Sequence, residues 1–162
     1  MTREQRTIEL LQVIESAGVE FVVIGGVAAH AWGSTLWTED LDIAMAFTHE
    51  QVSRLLDALR PFLPRHATRP DLGVISDPIS YLMTFRMLLV ETNIGRIDIL
   101  REVPPLGTHA DLVSASVEME IAGRAYRIIG IDDLIAIKQH VARPKDLLAA
   151  VELRAIRSRL LR

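Results

Sequence analysis

Three aspartates in two apolar segments are the residues of this chain most suited to chemistry. Asp40 and Asp42 are separated by one leucine, and Asp98 stands between two isoleucines. Because side chains alternate between the two faces of a strand, Asp40 and Asp42 share one face if their segment is a strand. Two carboxylates on one face repel each other, and a cation relieves that repulsion. Hard oxygen ligands of this kind suit Mg²⁺ that holds a polyphosphate.

A pair of glycines precedes the first two aspartates. The apolar run 21–24 ends at Gly25 and Gly26, and glycines allow backbone N–H groups to approach a phosphate closely. Asp98 is the candidate for a third carboxylate, because a carboxylate between β-branched residues is unfavourable unless it is solvated, paired or metal-bound. Together these residues predict nucleoside triphosphate chemistry.

Composition narrows the class of protein. The chain has 162 residues, of which 49% are hydrophobic, as is typical of one compact globular domain, 1–162, with an adequate core. No apolar stretch is long enough to span a bilayer, and the N-terminal segment lacks the layout of a signal peptide. The chain has no cysteine, which excludes disulfides and thiolate metal sites. We therefore expect a cytoplasmic protein that does not bind membranes.

The net charge of −3 gives no general sign of a nucleic-acid binder, but the C-terminal segment is basic. Between Arg143 and Arg162 there are six arginines and lysines against Asp146 and Glu152. Such a segment could contact a polyanion, and it could equally be the solvated face of a helix.

Hydrophobic periodicity and turn residues predict an α/β fold, with a mixed twisted sheet flanked by helices and a pair of helices at the C-terminus. Thr48 and Asp132 are the expected N-caps of two of the helices. Helices are predicted over 3–17, 26–32, 48–59 and 132–141 and from Pro144 onward, and strands over 20–24, 39–46, 81–91, 95–100, 117–121 and 125–129. Residues 64–79 are expected to form a loop with a short strand.

The helix predicted near residue 132 carries a lysine on its apolar stripe. Ile131, Leu134 and Ile135 define that stripe, and Lys138 falls on it at a spacing of seven, four and three residues. A lysine that faces inward needs an anion, and Asp146 on the next apolar stripe is one candidate. A carboxylate in the first turn of a helix is also favourable without any function, so both interpretations of Asp146 remain open.

In this order, the motifs resemble those of the nucleotidyltransferase superfold typified by DNA polymerase beta. The superfold carries a hydrophobic residue before Gly-Gly or Gly-Ser, then alternating aspartates, then a third carboxylate. Here these are Ile24-Gly25-Gly26, Asp40-Leu41-Asp42-Ile43 and Asp98.

The similarity is greatest to a small bacterial branch that includes AbiEii-type toxins. Gly33, Thr38, Asp40 and Asp42 match the pattern of that branch, whereas Leu36 stands where the branch has an arginine. Lys138 and the segment Arg143-Pro144-Lys145-Asp146 also match, so the helices over about 131–161 are expected to complete the site.

The resemblance implies transfer of a nucleoside monophosphate from a nucleoside triphosphate, with release of pyrophosphate. It implies that Asp40 and Asp42 bind two Mg²⁺ ions and that Asp98 binds one and acts as a base. The expected nucleotide-binding residues are Gly25, Gly26, Ser34, Thr38 and Lys138, with Asp146 as a supporting residue.

The acceptor is left open by the sequence. An RNA 3′ end such as that of tRNA would suit a toxin with an antitoxin partner, and a protein hydroxyl is a second possibility. A third is an aminoglycoside or lincosamide, and a fourth is a member that binds nucleotide or a partner without catalysis. A basic rim would favour RNA, and an acidic cleft would favour a cationic antibiotic.

Trp32 and Trp37 flank the loop after the glycines, where core packing is favoured over base stacking.

Overall fold

The computed structural model describes residues 1–36, 38 and 40–162. Trp37, one of the two tryptophans considered for base stacking, lies outside the described residues. Among those residues, no helix is both long and apolar enough to cross a membrane.

The secondary structure alternates helices and strands along the chain. The helices are α1 (Arg3–Ser16), α2 (Gly25–Trp32), α3 (His49–Leu59), α4 (Ile79–Leu82), α5 (His109–Ser114), α6 (Ile131–Val141) and α7 (Pro144–Leu160). The strands are β1 (Val22–Ile24), β2 (Asp40–Ala44), β3 (Arg65–His66), β4 (Met87–Thr92), β5 (Gly95–Leu100), β6 (Glu102–Val103), β7 (Gly107–Thr108), β8 (Ser116–Ile121) and β9 (Arg124–Ile129). Short 3₁₀ turns cover Arg60–Phe62 and Pro70–Leu72.

Within the described residues, seven strands form one mixed sheet in the order β3-β4-β5-β2-β1-β9-β8, and β6 pairs with β7. Strand β2 is antiparallel to β1 and parallel to β5. It therefore lies between the strand that leads into Gly25 and the strand that carries Asp98. The predicted mixed α/β fold is confirmed.

The two faces of β2 and β5 differ as the alternation of their residues predicts. Leu41, Ile43, Ile97 and Ile99 are at most 1% exposed and belong to the hydrophobic core, while the aspartates of both strands lie on the other face, partly accessible. Helix α1 packs on α3 and contacts both strands, and α6 and α7 pair and both contact α2.

The two predicted N-caps have different outcomes. The Thr48 side chain accepts a hydrogen bond from the Gln51 backbone N–H at 3.2 Å and caps α3, as predicted. The prediction for Asp132 is wrong, because Gly130 is the N-cap of α6. Since the cap lies two residues earlier than expected, Asp132 lies in the first turn of the helix and forms an ion pair with Arg157.

The predicted strand over 81–91 begins too early. Residues 79–82 form α4, and β4 starts only at Met87. Pro78 precedes this helical turn, and Tyr81 packs edge-on against Phe85 with ring centroids 5.1 Å apart. The short strands β6 and β7 and helix α5 were not predicted, although Thr108 and Asp111 form a capping box at the start of α5.

Candidate active site

Four charged side chains lie together where β2 runs beside β5. In the parallel register, Asp40 is paired with Arg96, and Asp42 is paired with Asp98. Because paired residues of neighbouring strands point to the same face, one pair is oppositely charged and the other is of like charge. Like charges directly opposite each other are unfavourable. The sheet thus brings together all three predicted carboxylates, two of them in a repulsive pair.

Arg96 lies between two of the carboxylates. Its Nε donates a hydrogen bond to Asp98 Oδ1 at 2.9 Å and is 3.8 Å from Asp40 Oδ2. The hydrogen bond to Asp98 is the main reason that the pKa of the Arg96 guanidinium is raised. Sequence reasoning missed this residue, although Arg96 and Asp98 are two positions apart in a strand and therefore share a face.

Asp42 is the least compensated of the carboxylates. Burial, followed by the negative charges of Asp98 and Asp40, raises its pKa from 3.8 to about 7, and Lys138 and Lys145 oppose this only in part. A carboxylate whose ionised form is opposed by burial and by like charges gains from any cation that reaches it. Lys145 was not among the predicted site residues.

The glycine turn lies directly against Asp42. Gly25 has a φ of +66°, and a Cβ built on it would overlap the Asp42 carboxylate. A Cβ on Gly26 would overlap Thr38, whose hydroxyl donates to the Asp40 carbonyl at 3.2 Å. Helix α2 begins at Gly25, so the unpaired N–H groups of its first turn lie beside the carboxylates. At residue 25, only glycine permits both the positive φ and the close approach to the Asp42 carboxylate.

Lys138 and Asp146 come together as the stripes of α6 and α7 indicated. Lys138 Nζ is 3.5 Å from Asp146 Oδ1, and Arg143 Nε donates to Asp146 Oδ2 at 2.6 Å. The Asp146 side chain is 2% exposed. Burial alone would raise the pKa of Asp146, but the hydrogen bond from Arg143 and the charges of both cations hold it below its usual value. Lys138 thus pairs directly with Asp146, and its positive charge also lowers the pKa of Asp42.

Ser34 is engaged by a residue from the far end of the chain. Its hydroxyl donates to the Glu152 carboxylate, which also accepts from the Thr35 backbone N–H at 3.1 Å and from the Thr35 hydroxyl at 2.6 Å. The pairing spans 118 residues, so no local pattern could have revealed Glu152. The loop after α2 is thereby tied to α7, and a phosphate contact of Ser34 stays a prediction.

Trp32 has a structural contact of its own. Its indole Nε1 donates to the Ile129 carbonyl at 2.9 Å, and its side chain packs against the hydrophobic core. This agrees with the packing role that the sequence favoured.

Among the described residues, no group of three or more acidic or histidine side chains is already arranged so that it could hold a metal ion. Arg96 takes up the space between Asp40 and Asp98. The donor set nevertheless fits a hard divalent cation, since three carboxylates share one face and Asp42 is opposed by its neighbours. Asp40, Asp42 and Asp98 are the residues that would hold it.

Known structures share this arrangement of strands and helices. The crystal structure of ANT(2'')-Ia in complex with adenylyl-2''-tobramycin matches with a TM-score of 0.60 and 17% identity, over 99% of both chains. The solution structure of the antibiotic-resistance factor ANT(2'')-Ia matches at 0.59 with 17% identity, over 99% of this chain and 94% of that one. TM1012 from Thermotoga maritima matches at 0.55 with 12% identity, over 99% and 95%. At these identities the likeness shows the fold.

Sequence comparison identifies the family. Curated protein sequences show no significant similarity to the chain. A family model described as "Nucleotidyl transferase of unknown function (DUF2204)" matches residues 3–160. The predicted resemblance to nucleotidyltransferases is thereby confirmed, and the chain belongs to this nucleotidyl transferase family.

Proposed function

We propose that the protein transfers a nucleoside monophosphate from a nucleoside triphosphate to a hydroxyl group, using the carboxylates of β2 and β5. The observation that carries this proposal is the repulsive pair of Asp42 and Asp98 directly beside the glycine turn. A fold gains nothing in stability from such a pair. Its presence next to backbone N–H groups suits a site that receives a cation and a polyphosphate together.

The nucleotide would lie between the glycine turn and α6. Gly25 and Gly26 offer backbone N–H groups to the β- and γ-phosphates, and Thr38 and Ser34 border the same loop. Lys138 supplies positive charge to the triphosphate while Asp146 fixes the direction of its side chain. Electrostatic positioning of this kind provides most of the catalysis in phosphoryl transfer.

Asp40, Asp42 and Asp98 would hold two Mg²⁺ ions. When bound, these ions would neutralise the developing charge and lower the pKa of the attacking hydroxyl. The carboxylates themselves set the position of the reacting groups, and Arg96 keeps Asp98 in a fixed orientation through Oδ1. Such a cation would also remove the repulsion that now raises the pKa of Asp42.

Asp98 is the proposed general base. Its Oδ1 accepts from Arg96, which leaves Oδ2 to take the proton of the acceptor hydroxyl. The acceptor oxygen then forms a bond to the α-phosphorus while the bond from the α-phosphorus to the bridging oxygen breaks. Pyrophosphate leaves with the electron pair of that bond, so charge and atoms balance.

The acceptor class has two candidates. An RNA 3′ end, as in the AbiEii-type branch with its antitoxin partner, suits the basic surface of α7. A cationic small molecule is favoured by a different observation: a cavity of about 320 Å³ between α1, α2 and β8 has an apolar lining with Glu4 and Glu120 at its wall. The fold shared with ANT(2'')-Ia, which was crystallised with adenylyl-2''-tobramycin, supports testing this second candidate.

A transfer assay tests the proposal. Wild type, Asp42→Asn and the exposed control Asp71→Asn would be incubated with MgCl₂, each α-labelled nucleoside triphosphate, and either total tRNA or tobramycin. We expect label to move to one acceptor in the wild type and in the Asp71 control, and not in Asp42→Asn. Transfer by Asp42→Asn at the rate of the wild type would contradict the mechanism.

A further inference from the structure

The strand order fixes the side from which an acceptor must approach. Gly25 follows β1 on one side of Asp42, and Asp98 lies in β5 on the other side. In phosphoryl transfer the attacking and leaving oxygens lie roughly in line. If the β- and γ-phosphates lie at the glycine turn, the acceptor hydroxyl therefore comes from the β5 side.

A polar cavity of about 370 Å³ lies on that side. It is formed by the first turns of α1 and the turn between β4 and β5, and Asp40 and Arg96 belong to its wall. It thus shares Asp40 and Arg96 with the candidate site, and Arg96 in turn donates to Asp98. Its volume is at the lower end of the range for ligand pockets, about 300–1,000 Å³.

The charges that face this cavity are mainly basic. They are Arg3, Arg6 and Arg96, against Asp40 and Glu91. Arg96 is engaged with the aspartates. Arg6 is exposed and makes no ion pair with any of the residues that the structure describes. The guanidinium fork fits the oxygens of a phosphate, so Arg6 is well suited to a phosphorylated ligand.

We infer that this cavity receives the phosphate of the acceptor, and hence that the acceptor is a nucleotide whose own phosphate contacts Arg6 while its hydroxyl reaches Asp98. This inference rests on the proposed function. A polyamine such as an aminoglycoside would meet more positive than negative charge here, three arginines against Asp40 and Glu91. The cavity that would suit it, with Glu4 and Glu120 at its otherwise largely apolar wall, lies on the α2 side.

Direct binding is the first test, and it needs no catalysis. The probe is a short fluorescein-labelled RNA with a free 3′ hydroxyl, followed by anisotropy without nucleoside triphosphate or Mg²⁺. Arg6→Gln should weaken binding about tenfold. The matched control Arg159→Gln removes the same charge from an exposed position about 20 Å along α7 from Asp146, and should change binding less than about twofold. AMP as a competitor distinguishes a free nucleotide from a chain end.

Transfer kinetics provide the second test. Arg6→Gln should raise the KM for the RNA about tenfold and leave the kcat and the KM for the nucleoside triphosphate unchanged. Equal effects of both arginine variants, or a larger effect of Arg159→Gln, would overturn the inference, because the acceptor would then track α7. Preferential labelling of tobramycin, unaffected by Arg6, would also overturn it. RNA binding that depends on Arg6, with no transfer by the wild type to any acceptor, would contradict the transfer function instead.

Discussion

Asp146 is buried and Asp42 is partly buried, and burial opposes the ionised form of both, yet their pKa values move in opposite directions. Asp146 has two cations of its own, Arg143 at 2.6 Å and Lys138 at 3.5 Å, and its pKa is held below the usual value although burial opposes this. Burial, followed by the charges of Asp98 and Asp40, raises the pKa of Asp42 to about 7.

The comparison separates a carboxylate with a structural role from one that we propose receives a ligand. The chain supplies the counter-charge of Asp146 from α6 and α7, so this pair holds the two helices together. The chain supplies too little positive charge to compensate Asp42. Next to the Asp42 carboxylate lies a glycine turn and not a packed side chain. Uncompensated charge in a folded protein reduces stability, and functional sites are where such a reduction is retained.

The largest expected effect is that of Asp98→Asn, which removes the charge opposite Asp42 together with the proposed base. Transfer should fall about 10³-fold, because an amide cannot take the proton of the acceptor hydroxyl. Binding of the nucleoside triphosphate should persist, since the glycine turn and Lys138 are unchanged. A kinetic assay checks the transfer rate, and an equilibrium binding measurement checks the affinity for the nucleotide. A transfer rate equal to that of the wild type would show that Asp98 is not the base.

Asp146→Asn should have the next largest effect, and on stability. It leaves the Lys138 ammonium, 15% exposed, without its carboxylate partner, which should lower the free energy of unfolding by about 3 kcal/mol. Urea unfolding measures this, with the exposed Asp71→Asn as a control that should match the wild type. Wild-type stability in Asp146→Asn would mean that the pair contributes nothing to the packing of α6 on α7.

The dependence on pH sharpens the same contrast. The pKa of Asp146 is lowered in the folded protein. The contribution of Asp146 to stability is therefore fully present above its pKa in the unfolded chain, about 4, and is lost as the pH falls through its pKa in the folded protein. The difference in unfolding free energy between wild type and Asp146→Asn should therefore be constant above about pH 5 and shrink below about pH 4. A difference that grows on acidification would contradict the direction of this shift.

The smallest effect is expected at Glu152, which holds the loop after α2. Glu152→Gln weakens the hydrogen bonds from Ser34 and Thr35 and should lower stability by about 1 kcal/mol or less. It should also raise the KM for the nucleoside triphosphate a few-fold, because Ser34 borders the proposed phosphate site. Thermal unfolding and kinetics check this against the exposed control Glu118→Gln. An unchanged KM would mean that the loop after α2 does not take part in binding the nucleotide.

Local patterns were enough to predict the parts of the site that depend on one segment. The alternation in β2 and β5, the turn at Gly25 and the cap at Thr48 follow from strand periodicity and backbone chemistry. Family resemblance added the expectation that the C-terminal helices over about 131–161 complete the site. The confirmed nucleotidyltransferase fold agrees with both.

Features set by contacts between distant segments were not accessible in this way. The pairing of Ser34 with Glu152 spans 118 residues, and the cavity around Arg6 depends on where α1 crosses the turn between β4 and β5. The cap at Gly130 and the late start of β4 are shifts of element boundaries, which local propensity fixes poorly. Arg96 is different, since its spacing from Asp98 was visible in the sequence.

The most direct test of the central claim is the thermal stability of wild type and Asp42→Asn, with and without Mn²⁺ as the metal probe. At a pH of about 8, above the pKa of Asp42, and with metal removed by EDTA, Asp42→Asn should be the more stable protein, because the repulsion with Asp98 is gone. Mn²⁺ at about a hundredfold its Kd should stabilise the wild type by about 2.7 kcal/mol and the variant much less, so their order reverses. A wild type that is the more stable protein without metal and responds to Mn²⁺ no more than Asp42→Asn would contradict the account.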